Sequence, residues 1–323
     1  MQADAHRYHL ALGVPDSKAA TCYIDSAGQP QFTIANQLRL PAAFLSQITD
    51  EDQLRWFYRP ENAPFPASGP IINCCACFDD FRKALYSMAR WLPDGALVFN
   101  HPNAVAHAAS AQFREGLSAI KGLVVPQQMR LRPTQPDDFA RAIAKVGLQY
   151  PLQVQFSTHL HNRPAAIVRS ADDWAAVMRL DWPHQRFLIT EMRGDDLAQH
   201  VRIRITFVGG AAEQVSFAYA YPGATLVKDF VPPDKMEPDR FRAVVAQIAK
   251  RVGMDHWTVE LSFRPNRQVR LEHLWPGLPV ANPKDGPDPG QLLWKSVEGR
   301  LQALLQAPQK WRTAIRPAHQ RQH

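Results

Sequence analysis

The 323-residue sequence predicts an α/β to α+β architecture. An N-terminal βαβ unit covers 1–99, two α+β subdomains with antiparallel sheets cover 100–192 and 193–307, and a basic, disordered tail covers 308–323. Three patterns carry this reading. Short apolar runs at 70–74 and 96–99 flank a helical periodicity over 81–92, the spacing of a parallel βαβ unit. Residues 201–208 alternate strictly, with Arg202, Arg204 and Thr206 on one face, and turn at Gly209-Gly210 into a partner strand over 214–219. A second pair of alternating arms, 253–264 and 269–275, is joined by Pro265-Asn266-Arg267 and reads as another hairpin.

The remaining elements follow in order. Short strands are expected at 8–12, 21–24 and 31–34, the last two joined by the turn Asp25-Ser26-Ala27-Gly28-Gln29-Pro30. A proline-rich loop occupies 59–69, and Asp79 or Asp80 is expected to cap the helix over 81–92. Asn100-His101-Pro102 ends the βαβ unit, one helix is expected over 104–120, and 123–126 is a strand that continues at 129–131. A helix from Pro136 to Val146, strands at 151–156 and 165–168, and a helix capped by Ser170 come next. Residues 187–191 form a strand before the acidic loop Arg193-Gly194-Asp195-Asp196. An amphipathic helix over 239–252 ends at Gly253, and a last helix runs to Leu305.

Composition excludes several classes. With 46% hydrophobic and 21% charged residues the chain reads as an ordinary folded domain. No apolar run is long enough to span a bilayer and Met1-Gln2-Ala3-Asp4 does not open a signal peptide, so a cytoplasmic location without a membrane partner is expected. The net charge is +7, but Lys310, Arg312, Arg316 and Arg321 supply more than half of it within a tail that has no acid, so nucleic acid is not expected as a partner. A small-molecule or peptide substrate is expected, with a homodimer as one arrangement. Cys74, Cys75 and Cys77 lack a second pair with zinc-ligand spacing and read as buried residues at a strand end.

The 253–277 hairpin holds the most informative side chains. If its register is symmetric about Asn266, Glu260 lies directly opposite Glu272, with Val269, Leu271 and Trp275 on the other face from Arg270, Glu272 and Leu274. Two facing carboxylates need a divalent cation such as Mg²⁺, a shared proton or nearby arginines; Arg264 and Arg270 fall on the same face and could serve. His159 and His161 have a spacing that suits metal ligation on a strand, but no third ligand accompanies them.

Taken in order, these motifs resemble the ATP-grasp superfamily, and most closely its ATP-grasp-like domains that are sometimes fused to helical repeats. The resemblance rests on Asn100-His101-Pro102, Val124-Val125-Pro126, Pro151-Leu152 with His159, Arg202-Ile203-Arg204 through Val208-Gly209-Gly210, and Gly253 through Glu260 closed by Glu272, and covers about 70–305. It implies ATP and Mg²⁺ held between two subdomains, and a carboxylate activated as an acylphosphate before an amine or thiol displaces phosphate. By that likeness Glu260 and Glu272 would hold Mg²⁺, and Arg202 and Arg204 would meet phosphate or the substrate carboxylate. Thr190, Glu191 and Met192 would form the adenine hinge, with Arg130 and Gln155 also on the nucleotide. Asp195 or Asp196 would reach ribose, and His159 would lie over the phosphates. The sequence departs from the family pattern where Leu274 replaces an asparagine, Gln155 a basic residue and His161 a glycine, and where Ser110 stands at a lysine or arginine position with Arg114 a turn later. Two functions remain: an ATP-dependent carboxylate ligase, or a degenerate ATP-grasp-like protein that binds nucleotide, peptide or a partner without turnover.

Overall fold

A computed structural model describes residues 7–16, 20–24, 30–34, 37–48, 53–57, 69–135, 137–157, 166–174, 177, 186–192, 200–220, 223–226, 238–263, 268–278 and 289–315. The N-terminal part comprises β1 (His9–Gly13), the antiparallel pair β2 (Ala20–Ile24) and β3 (Pro30–Ile34), α1 (Ala42–Leu45), β4 (Leu54–Phe57), β5 (Ile71–Asn73), α2 (Arg82–Trp91) and β6 (Val98–Phe99). Strands β4, β1, β5 and β6 form a parallel sheet in that order, so the predicted βαβ unit is present as β5-α2-β6. Neither Asp79 nor Asp80 caps α2; its N-cap is Phe81, with no side-chain cap bond.

The next stretch contains α3 (Pro102–Ala108), α4 (Ala111–Ser118), β7 (Leu123–Val124), β8 (Gln128–Leu131), α5 (Asp137–Val146), β9 (Leu152–Phe156), β10 (Ala166–Val168) and β11 (Phe187–Glu191). The single helix expected over 104–120 is two, because Ser110 leaves helical geometry and its hydroxyl accepts the Phe113 N–H as the cap of α4. The strand expected to run from 123 to 131 is also two, in different sheets. Pro126 cannot donate to a ladder, and the chain crosses there from one sheet to the next. Strands β10, β9, β11 and β8 make an antiparallel sheet, while β7 joins the sheet of the third part.

That part consists of β12 (His200–Val208), β13 (Ala211–Ala220), β14 (Gly223–Leu226), α6 (Pro238–Arg251), β15 (His256–Phe263), β16 (Val269–Pro276) and α7 (Pro289–Leu305), followed by α8 (Arg312–Ile315). Its six-stranded sheet has the order β14-β13-β12-β15-β16-β7 and is antiparallel except at β7.

Packing divides the molecule unequally. One core joins the first and third sheets through Ala11, Leu85, Val105, Ile248, Trp257 and Val259, and a second joins them around Phe44, Phe99 and Leu301. The middle sheet has its own core of Phe139, Val154, Phe187 and neighbours. Asn100 fastens the first and third sheets together from the turn after β6. Its φ of 49° lies in the left-handed region, which asparagine tolerates better than most residues. Its Oδ1 accepts from the backbone N–H of Asp255 and His256 at 2.8 and 2.9 Å, and its Nδ2 donates to the His256 carbonyl at 2.8 Å. The Asn-His-Pro motif is therefore a joint: His101 Nδ1 caps α3 by accepting from Asn103 N, and Pro102 opens the helix.

The expectation of a disordered tail from 308 does not hold for 308–315. Trp311 is fully buried, packs edge-on against Phe99 at 5.4 Å and donates its indole N–H to the Leu304 carbonyl at 2.8 Å. Arg312 N donates to Asp255 Oδ1 at 2.6 Å, and Thr313 Oγ1 bridges the N–H and carbonyl of Val98. Residues 316–323, with Arg316 and Arg321, lie outside the described residues. Trp311→Ala is therefore expected to cost about 3–5 kcal/mol of folding stability, as for other buried aromatic truncations, measured by denaturant unfolding. Removal of 308–323 should cost at least as much; an unchanged midpoint in either variant would contradict the docking.

Candidate functional site

Pairing of β12 with β15 places Arg202 opposite Ser262, Arg204 opposite Glu260, and Thr206 opposite Thr258, all on one buried face. Directly opposed residues share a face, so the alternation read from 201–208 becomes a polar stripe across the middle of the sheet. Arg202 Nη1 donates to Glu260 Oε1 at 2.7 Å, and Arg204 donates to Glu260 Oε2 from Nε at 3.2 Å and Nη2 at 2.9 Å. Thr206 and Thr258 hydroxyls bond at 2.8 Å beside them.

The second arm departs from the symmetric register. Leu261 faces Leu271 as expected, but Glu260 faces His273, so Glu272 is the extra residue of a β-bulge. The bulge reverses the facing of everything beyond it. Leu274 pairs with Val259 and packs on the core, while Trp275 pairs with Thr258 on the polar face, its ring 5.5 Å from the Arg204 guanidinium. The predicted partition of Trp275 with Leu271 and of Leu274 with Glu272 is thus inverted, as is the direct opposition of Glu260 and Glu272. Glu272 still reaches the stripe: Ser262 Oγ donates to its Oε1, and Arg202 Nη2 and Arg270 Nε each lie 3.6 Å from a carboxylate oxygen.

Burial alone would raise both carboxyls. Arg204 and Arg202 instead hold Glu260 down at about 2, and Arg202 and Arg270 with Ser262 hold Glu272 at about 2. Both are ionised at neutral pH. His273 is driven down to about 4 by burial, with Arg202 and Arg204 adding to the effect and the two glutamates opposing it, so it is neutral there.

The charge extends toward the middle sheet. Arg270 Nη2 donates to the Glu191 carbonyl at 2.8 Å, and Arg114 Nη2 donates to the Pro126 carbonyl. The Arg114 guanidinium is lowered to about 10, first by burial and then by Arg130 and Arg270. Arg130 grips the buried Asp79 with Nε at 2.9 and 2.7 Å and donates to the Ala109 carbonyl at 3.0 Å, and Arg186 donates to the Asp79 carbonyl at 3.0 Å. The polar seam between the middle sheet and the rest of the molecule is lined with arginine.

The chain matches no family model and no curated protein. Among solved structures, D-alanine–D-alanine ligase from Bacillus anthracis is similar with a TM-score of 0.51 and 11% identity, over 96% of this chain and 98% of that one. An ATP-grasp RimK domain protein from Sphaerobacter thermophilus is similar with a TM-score of 0.50 and 14% identity, over 86% of this chain and 97% of that one. The protein has the ATP-grasp fold.

Several residues expected to serve ATP in that fold are otherwise engaged. Arg130 and Gln155 flank Leu188 on adjacent strands of the middle sheet, so they do share a face, but Arg130 is bonded to Asp79. Thr190 lies inside the sheet between Gln128 and Gln153. The Glu191 and Met192 N–H groups donate to the Gln127 and Pro151 carbonyls at 2.9 and 2.8 Å, and the Glu191 side chain accepts from Gln149 N at 2.7 Å. His159, Asp195 and Asp196 lie outside the described residues.

A protein-held Mg²⁺ does not fit this donor set. Both oxygens of Glu260 accept from guanidinium groups, and both of Glu272 lie against Ser262 or an arginine. Leu274 faces the core, and no group of three or more His, Cys, Asp or Glu side chains that could hold a metal occurs among the described residues. Divalent magnesium favours carboxylates that are not already neutralised. Burial pushes the Cys74 and Cys77 thiols up to about 12 and also raises Cys75, which disfavours the thiolate at all three.

Sequence reasoning missed Asp79, Arg186, His273 and Trp275. Asp79 fits the pattern of a helix cap, and the one signal that places His273 and Trp275 is the break in alternation at Glu272-His273 between Leu271 and Leu274.

Arg204→Met leaves the buried Glu260 with one guanidinium and should lower stability by about 3–5 kcal/mol in denaturant unfolding. Stability should also fall on acidification. Burial holds His256 at about 4 against an ordinary 6.5, as it does His273, so the unfolded chain protonates first and stability declines from pH 6.5 to about 4. The depressed Glu260 and Glu272 extend the decline from 4.5 toward 2, partly offset by Asp255, whose carboxyl is raised by burial. His256→Gln should flatten the limb between pH 6.5 and 4 in a melting-temperature series; an unaltered slope would refute its contribution.

Proposed function

We propose that the protein is a degenerate ATP-grasp-fold protein that binds an anionic ligand, of phosphate or carboxylate chemistry, without metal-dependent turnover. One observation carries this reading: Arg202 and Arg204 converge on Glu260 inside a buried stripe where the guanidiniums of Arg202, Arg204 and Arg270 outnumber the carboxylates of Glu260 and Glu272. His273 is neutral, so among the described side chains of the stripe three guanidiniums stand against two carboxylates. Guanidinium forks match carboxylate and phosphate oxygens, and in a buried setting their attraction for an anion is screened less than at a surface. Trp275 supports the same polarity. Its indole N–H is buried without a hydrogen-bond partner among the described residues, a donor suited to an anion's oxygen.

A second reading is an ATP-dependent carboxylate ligase working through an acylphosphate, with ATP and Mg²⁺ as cofactors, Glu260 and Glu272 on the metal, and Arg202 and Arg204 on the reacting groups. It is favoured by the nearness of both glutamates to Arg202, 2.7 Å for Glu260 and 3.6 Å for Glu272. That arrangement would have to exchange guanidinium contacts for metal contacts before any ion could enter.

Magnesium dependence separates the readings. Under the first, anions raise the melting temperature equally with and without Mg²⁺, and incubation with ATP, carboxylates and amines releases no ADP above background. ADP release that requires Mg²⁺ and disappears in Glu272→Gln would establish the ligase and overturn the first reading.

A further inference from the structure

We infer that the turn 77–80 is a latch on the far end of the middle sheet, whose release lets that sheet swing away as a unit while the first and third sheets stay joined. The inference stands apart from the anion-binding reading and does not depend on it.

Apolar packing sets the boundary of the moving part. The middle sheet is cored by Phe139, Val154, Phe187 and their neighbours, a cluster that has no described residue in common with the two cores joining the first and third sheets. The bonds described across the seam are polar. Both chain connections leave the middle sheet at one end. The chain enters β8 from Pro126 and Gln127 and leaves β11 at Glu191 and Met192, and the Glu191 N–H donates to the Gln127 carbonyl at 2.9 Å, so entry and exit lie side by side. Arg114 and Arg270 bond the Pro126 and Glu191 carbonyls at this same end. Two adjacent chain crossings make a hinge, because a few backbone torsions there can carry the whole sheet.

The turn 77–80 grips the opposite end. Ser157 and Arg186 lie there, paired by the Ser157 N–H donating to the Arg186 carbonyl at 2.8 Å. The length of β11, roughly 15 Å, separates them from Glu191. Cys77 Sγ donates to the Ser157 carbonyl at 3.7 Å. Arg186 Nη1 reaches the Asp79 carbonyl at 3.0 Å and its Oδ1 at 3.9 Å, and Arg130 Nε donates to both Asp79 carboxylate oxygens at 2.9 and 2.7 Å. The turn is itself braced: the Asp16 N–H donates to the Asp80 carbonyl at 2.5 Å and the Phe81 N–H to the Cys77 carbonyl at 3.0 Å. Bonds this far from the hinge act on the longest lever arm, so a few of them suffice to fix the sheet. The Asp79 side chain is 2% exposed, whereas those of Arg130 and Arg186 are 26% and 23% exposed. Both arginines belong to the moving part, and its departure admits water to them and to Asp79 alike. Each ion then has a hydrated alternative to the clasp, which makes the latch reversible.

Alkylation of the native thiols with N-ethylmaleimide, read peptide by peptide by mass spectrometry on the full chain, tests the latch. Cys77 lies at the seam, while Cys74 and Cys75 lie in the two cores that stay joined. Arg130→Met and Arg186→Met should each speed labelling of Cys77 by about tenfold or more, in proportion to the fraction open, and leave Cys74 and Cys75 as slow as in the unaltered protein. Loss of a neighbouring cation would by itself suppress the Cys77 thiolate, so a faster reaction reports access. Arg130→Lys and Arg186→Lys, which keep the charge but lose the fork, should give a smaller rise at Cys77 alone and carry the test where a methionine variant does not fold. An unchanged Cys77 rate in the folded variants would overturn the latch. A parallel rise at Cys74 and Cys75 would overturn it too, since the sheets would then be opening together.

Discussion

A carboxylate held between two guanidiniums inside a sheet constrains everything around it. Glu260 lies at the centre of β12–β15–β16, with Arg202 and Arg204 reaching it across one ladder and His273 facing it across the other. Withdrawing such ions from water costs several kcal/mol each, so the group persists only because every partner is within hydrogen-bonding or close ionic reach. This makes the register of three strands an electrostatic matter as well as a hydrophobic one. A slip of one residue would set Arg204 against an aliphatic side chain and leave a charge in the core.

The two packing centres explain where the arginines go. The first and third sheets share apolar cores and are joined by the Asn100 amide, whereas the middle sheet is held to them through polar groups. Asp79 receives Arg130 and Arg186, and Arg270 reaches the Glu191 carbonyl, all across that seam. A seam of ion pairs and single hydrogen bonds is weaker and less exclusive than a packed core, and an anion entering it competes for donors already in place. Under the proposed anion binding, occupancy and the relative position of the middle sheet would be linked through the same side chains.

Much of this was legible from pattern alone. The βαβ unit, the 201–219 hairpin, the polar face of Arg202 and Arg204, and the nearness of Arg270 to Glu272 all follow from period-two alternation and turn residues. What escaped the pattern has physical causes. Alternation reports which residues share a face only while pairing is regular, and the bulge at Glu272 breaks it, marked in the sequence only by the consecutive polar pair Glu272-His273 between Leu271 and Leu274. Asp79 satisfies the rules for a helix cap, and only the long-range placement of Arg130 shows it in another role. The tail from 308 to 315 is polar in composition, yet Trp311 supplies enough apolar surface to anchor it. His159 and the two aspartates of the 193–196 loop fall outside the described residues, so their expected contacts stand as sequence readings.

The bulge also sets how far this site stands from metal chemistry. Because Glu272 is an inserted residue, position 274 points into the apolar core beside Val259. Placing asparagine there would bury an amide among hydrocarbons and supply no ligand to an ion. Recovering a carboxylate-and-amide metal site would require shortening β16 by one residue, which turns 273 and 275 away and brings a new side chain onto the charged face. Single substitutions change the chemistry of a position but not the direction in which it faces. The barrier between an arginine-filled site and a magnesium-filled one is therefore a step in chain length, across which no gradual series of point changes leads.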